Sequence, residues 1–238
     1  MIVKLKTFRF KNDSLSNWVY KGSNKEVLFM NPDGLPDAPY KVLKSINYVK
    51  KKLVLDMNIR AHIATESYSS RFNALITKNH QVYFILITSP LINLLDDNEM
   101  NFVIGHEIGH AIFNHLDYTK TADTTLDNIK SQCAEISADR IGFASVDDIN
   151  IAASALHKLK YGIRYSQNKI DIKKLTDHIN DPESGYSTTH PIDSLRLESI
   201  IRFSMSKKYR EYTGDPRYIF EDDGLENYIY ENIKKQIY

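Results

Sequence analysis

The spacing of apolar positions changes along this chain, and each change marks an element. Residues 1–10 alternate apolar and polar side chains, a strand pattern, and the first thirty residues read as a hairpin or loosely ordered strands. A turn-rich break at residues 31–37 ends them. A helix follows over about 39–55, with Val42, Leu43, Ile46, Val49 and Leu53 at helical spacing. Met57, Ile59, Ala61 and Ile63 then alternate with polar residues, which predicts a half-buried strand. Two further strands are expected at 72–77 and 81–88, joined by Lys78, Asn79 and His80.

From Leu95 the period becomes helical. Asp96 followed by Glu99 is a relative of the capping box, with Asp in place of Ser or Thr. The helix it opens runs to about His115 and carries apolar residues on most sides, so it is largely buried and its polar residues need a reason to be there. A polar loop over 117–125 leads to helices at about 126–144 and 149–159. A stretch of turn formers precedes Thr189, His190 and Pro191, and Pro191 opens a helix to about Met205. The rest, to Tyr238, is polar and tyrosine-rich and reads as a packed extension.

Composition narrows the function classes. The 238 residues are 42% hydrophobic and 26% charged, an ordinary globular balance. Thirty-one basic against thirty acidic side chains leave a net charge of +1, so nothing global draws the chain to nucleic acid or to an acidic membrane. The strongly apolar stretches around 82–87 and 102–104 are far too short to span a bilayer, and the first residues lack the charged-then-apolar signature of a secretion signal. A single cysteine, Cys133, excludes an internal disulfide framework and suits a reducing compartment, so a cytoplasmic location is expected. Cys133 itself reads as a small buried hydrophobe.

The candidate chemistry sits at residues 103–115, Val-Ile-Gly-His-Glu-Ile-Gly-His-Ala-Ile-Phe-Asn-His. His106 and His110 stand one helical turn apart and project from one face, so both imidazoles can bind one zinc ion. Glu107 lies about 100° around the helix from His106, within reach of a water that such an ion would activate. Two histidines on a surface or core helix would be the plain alternative. Burying this set in an apolar helix without a metal would be costly, and a third donor exists downstream. Gly105 and Gly109 each cost a helix roughly 1 kcal/mol relative to Ala, which is easiest to explain if another backbone approaches closely there.

His115 comes five residues after His110, so the extended metzincin spacing is absent. It reads as the end of the helix, where a polar or cationic side chain suits the carboxyl-terminal dipole. With His62, His80, His157 and His178 it shows no partner spacing and is assigned no function. The better third ligand is Glu135. Asp139, one turn later on the same face, can accept a hydrogen bond from the far nitrogen of a ligand histidine and fix its tautomer.

Taken in order, His106, Glu107 and His110, then Glu135 and Asp139, then Thr189, His190, Pro191 and Arg196 resemble the M48 gluzincin peptidases, a family that includes the HtpX-type membrane proteases and the CAAX prenyl-protein endopeptidases. A weaker likeness adds Asn73 and Ala74, residues 87–91, Asp97 and Glu99, and the whole covers about 40–205. The resemblance implies an α+β fold, mainly helical, with a small mixed sheet edging the active-site cleft. It implies a metallopeptidase domain at 39–205 between an N-terminal extension or hairpin (1–38) and a C-terminal extension (206–238). Asn73 then matches the strand where substrate adds in extended form. His190 and Arg196 match residues near the zinc that stabilise the oxyanion or anchor the third-ligand region; by themselves they would read as a helix cap and a surface salt bridge.

Those relatives carry transmembrane helices and this chain shows none, so the resemblance points to a soluble branch, in which 206–238 or the first forty residues could cover the cleft. The expected activity is zinc-dependent hydrolysis of peptide or unfolded-protein substrates, with one zinc per chain. The alternatives are a zinc-binding but latent or silent domain acting through protein binding, and a structural domain with fortuitous histidines.

Overall fold

The computed structural model describes residues 35–64, 73–117, 124–162 and 193–237. The expected N-terminal hairpin and His190 lie outside them. Helix α1 (Tyr40–Lys52) turns Val42, Ile46 and Val49 into the core and ends on three lysines, which suit its negative carboxyl end. It stops short of the expected Leu55 because Val54 takes a left-handed backbone, φ 53°.

Three strands follow, β1 (Ile59–Ala64), β2 (Ala74–Asn79) and β3 (Val82–Thr88), in the order β1-β3-β2. β1 runs parallel to β3, and β2 returns antiparallel beside it. The central strand is β3, which explains its near-continuous apolar run: residues 84–88 are all buried. The β2–β3 turn places His80 at φ 53°. The open edge of β1 is partly covered by residues 36–38, through Ala38 N–H to Ala61 C=O (2.9 Å) and Ile63 N–H to Pro36 C=O (2.8 Å). The other edge of the sheet is β2, and it faces the chemistry.

A short helix, α2 (Ser89–Leu94), has Pro90 in its first turn and was not signalled by the apolar spacing. The capping box then opens α3 (Asp97–Ile112) as expected. The Asp96 carboxylate accepts from the N–H groups of Asn98 and Glu99 (both 2.8 Å), and Glu99 accepts from the Asp96 N–H (2.7 Å). Glu99 is itself buried and paired with Lys158 (2.8 Å).

Helix α4 (Thr124–Val146) packs against α3, and α5 (Ile149–Tyr161), capped by Asp148, packs beside α3 and α4. The chain is next described at α6 (Asp193–Ser204), then α7 (Lys207–Thr213) and α8 (Asp222–Ile237). On α8, Leu225, Ile229 and Ile233 form a buried stripe against α4 and α6. The same helix supplies Glu226 to Arg140 of α4 across 2.6 Å, with the two side chains 6% and 1% exposed. The architecture is thus α+β, mainly helical with one small mixed sheet, and a single core runs from α1 to α8.

Candidate metal centre

The centre exists because α3 and α4 touch backbone to backbone. A methyl group added at Gly109 would stand 2.9 Å from the Ala138 Cα, and one at Gly105 would stand 3.1 Å from the Gly142 Cα and closer still to Ser145. In turn, a methyl at Gly142 would meet the Phe102 carbonyl at 2.9 Å. The backbone expected beside Gly105 and Gly109 is therefore α4, and this seam of small residues holds Glu135 and Asp139 opposite the α3 histidines.

There the ring nitrogens converge. His106 Nε2 and His110 Nε2 lie 3.1 Å apart, and each is 3.5 Å from a Glu135 carboxylate oxygen. Two donors on a tetrahedral zinc, each bonded at about 2.0–2.2 Å, stand about 3.3 Å from one another. The spacing therefore suits one such ion, and the set His106, His110 and Glu135 could hold it. Two imidazole nitrogens and a carboxylate oxygen are also zinc's usual donor chemistry.

A second layer orients these donors. Asp139, fully buried, accepts from His106 Nδ1–H at 2.9 Å, which leaves the Nε2 lone pair of His106 free to point at a cation. Arg196 from α6 closes a fork on the same carboxylate, Nε to Oδ2 at 2.7 Å and Nη2 to Oδ1 at 2.6 Å, and its Nη2 lies 3.6 Å from Glu135. Burial opposes charge on Asp139, but the Arg196 and His106 contacts outweigh it and hold its carboxyl below the ordinary value. For His106, burial also opposes charge, and Asp139, with Glu135 and Glu107, outweighs it and raises the ring. His110 is pushed down by burial to about 4 and stays neutral, with a lone pair to offer.

Glu107 is 7% exposed. Burial, opposed by His106 and reinforced by Glu135, lifts its carboxyl to about 7, although it accepts from the Ile76 N–H of β2. That bond also defines the β2 edge. Asn73 C=O accepts from Thr88 N–H (3.0 Å), so alternation along an antiparallel pair turns the main-chain groups of Leu75 and Thr77 to β3 and those of Ala74, Ile76 and Lys78 outward. Asn73 immediately precedes this strand and is half-buried. Of the residues expected from the sequence, the structure therefore gathers His106, Glu107, His110, Glu135, Asp139 and Arg196 in one place, with Asn73 at the start of the adjoining strand.

Residues 45–130 match the sequence model of Peptidase family M48. Over this stretch, about a third of the chain, the protein is similar to that family. The similarity supports a metallopeptidase-type function. No curated protein and no solved structure matches the chain. The matched span contains His106, Glu107 and His110 but stops before Glu135, Asp139 and Arg196, which only the fold brings to the first three. No helix among the described residues is long and apolar enough to cross a membrane.

One residue near the candidate metal centre was not singled out by the sequence. His115, taken as a helix end, lies with its Nδ1 2.8 Å from His110 Nδ1. Helical spacing would place it on another face. The helix stops first: Asn114 takes a left-handed backbone, φ 59°, and a 3₁₀ turn (His115–Asp117) folds the ring back. An asparagine just past the last helical turn, where left-handed backbone is commonest, was the available signal.

Proposed function

We propose that this chain is a zinc-dependent endopeptidase in which His106, His110 and Glu135 hold one zinc ion and Glu107 is the general base. The observation that carries this reading is the meeting of two Nε2 atoms and a carboxylate at zinc-like spacing, with a second, buried carboxylate beside them. Zinc held there supplies Lewis acidity, which lowers the pKa of a water to about 7 and polarises a scissile carbonyl.

The chain's own groups do the rest. A Glu107 carboxyl near neutrality suits a group that takes a proton from the attacking water and returns it to the leaving amine, a role worth about 10²–10⁴ in rate. The outward main-chain groups of Ala74 and Lys78 and the C=O of Ile76 suit a peptide added as an extended strand, with Asn73 at its edge. Arg196 holds Asp139, and through it His106, in orientation. His190, by its place in the family order, would donate to the oxyanion as charge develops. The domain bounds follow the same reading, with catalysis in 39–205, and a reducing cytoplasm suits the single Cys133.

The test is cleavage of a diverse unstructured peptide library by wild type and Glu107→Gln, with zinc content determined on both. Wild type should cleave. Glu107→Gln should keep its zinc and lose at least a hundredfold in turnover. Equal turnover in the two proteins removes Glu107 from the reaction; zinc in both without any cleavage favours a silent binding domain.

A further inference from the structure

His110 has two ring nitrogens and only one faces the metal ligands. Its Nε2 lies 3.1 Å from His106 Nε2, on the side of Glu135. Its Nδ1, on the opposite edge of the ring, lies 2.8 Å from His115 Nδ1. Two imidazole nitrogens at that distance share one proton, because two bare lone pairs would repel and two N–H groups would clash. Either His110 donates and His115 accepts, or the reverse. In the second arrangement neutral His110 carries its proton on Nε2 and cannot bind a cation there. In the first, the Nε2 lone pair is free.

We infer that His115 is a positioning residue for the metal: its Nδ1 accepts the proton of His110 Nδ1, fixing His110 in the tautomer and ring orientation that present Nε2 to zinc. His115 thereby does for His110 what Asp139 does for His106, with a neutral acceptor in place of a carboxylate. Its own ring is held on the outer side. Phe113 stacks on it at 5.6 Å and 24° between planes, and its Nε2 is buried with no hydrogen-bond partner among the described residues. A ring so placed faces His110 with Nδ1 and takes no part in the ligand set, from which its geometry excludes it. The arrangement depends on the left-handed Asn114, which turns His115 back under the helix it follows.

This inference rests on the zinc reading proposed above, and its test separates the two. Zinc dissociation constants are measured by chelator competition for wild type, His110→Ala, His115→Phe and His115→Asn, each with a thermal melt of the metal-free protein. His115→Phe keeps the ring and removes the acceptor, so zinc binding should weaken about 10–100-fold, the usual loss for a partner behind a metal ligand. His115→Asn places an amide oxygen close to where Nδ1 stood and should recover most of that loss, which a packing role alone would not. Wild-type affinity in His115→Phe overturns the inference. Zinc binding that is absent in wild type, or unchanged in His110→Ala, overturns the zinc reading itself. If His115→Phe fails to fold, ring-nitrogen NMR of the wild-type protein decides. A protonated His110 Nδ1 beside an unprotonated His115 Nδ1 upholds the inference, and the opposite assignment in the zinc-loaded protein ends it.

Discussion

Substituting Gly109 by Ala tests the tight α3–α4 crossing directly, because two effects of opposite sign meet at one methyl group. In a free helix the change would stabilise by about 0.8–1 kcal/mol. Here the new Cβ would stand 2.9 Å from the Ala138 Cα, 3.1 Å from the Ile141 Cβ and 3.2 Å from the Ala138 carbonyl oxygen. Carbon atoms in good contact sit about 3.5–4.0 Å apart, so α4 must retreat by at least about 0.6 Å. The atoms in the way are backbone and β-carbon, with no flexible tip to swing aside. Overpacking of this kind costs about 1–3 kcal/mol, and the net expectation is a loss of about 0–2 kcal/mol in the metal-free protein.

The larger effect falls on the metal. Ala138 lies between Glu135 and Asp139 on α4, so the retreat carries both carboxylates away from His106 and His110. Ligand distances in a working site hold within about 0.2 Å, and zinc affinity should therefore fall at least about tenfold. Urea denaturation of the metal-free protein and chelator competition read the two effects separately. Gly224→Ala is the control: nothing lies within 4 Å of its added methyl, so helix propensity alone should act, raising stability by up to about 1 kcal/mol. A Gly109→Ala protein that gains stability as Gly224→Ala does, with zinc affinity intact, would refute the tight crossing.

The pair Arg140–Glu226 should behave as a buried ion pair. Glu226→Ala removes the carboxylate that faces the buried guanidinium and should cost up to about 3–5 kcal/mol by urea denaturation, while adding Arg140→Met should recover much of that loss; additive losses would count against direct coupling. Asp215 accepts hydrogen bonds from Arg217, with Arg210 beside it, and its carboxyl is held at about 2, below the ordinary 3.8. Because its folded value lies below its unfolded one, this group stabilises the fold above pH 3.8 and loses that effect as pH falls towards 2. An NMR titration should show the low midpoint and its return towards the ordinary value in Arg217→Ala.

Local rules made much of this fold legible in the sequence. Asp96 and Glu99 announce the start of α3 because a capping box is complete within four residues, and β3 declares itself by an apolar run that only a central strand needs. The pair Gly105 and Gly109 signals a close backbone, though not which one; that required α4 in three dimensions. The misses have equally physical causes. Helix α2 is too short for a period to register, and α8 hides Leu225, Ile229 and Ile233 among tyrosines and charges, although their four-residue spacing was there to read. His115 was missed because helical spacing was extended past Asn114, where the helix had already stopped. Arg196 needed the family order, since nothing nearby in sequence reveals that its partner is Asp139.

The order in which the site's contacts can form has its own meaning. His106 and Asp139 are 33 residues apart, Asp139 and Arg196 another 57, and Arg140 meets Glu226 across 86. A contact cannot close before both of its ends exist. On a growing chain the two histidines are made early, yet the arginine that steadies their carboxylate arrives about ninety residues later, and the glutamate answering Arg140 later still. The layer that steadies the candidate metal ligands is therefore among the last parts of the described fold to assemble.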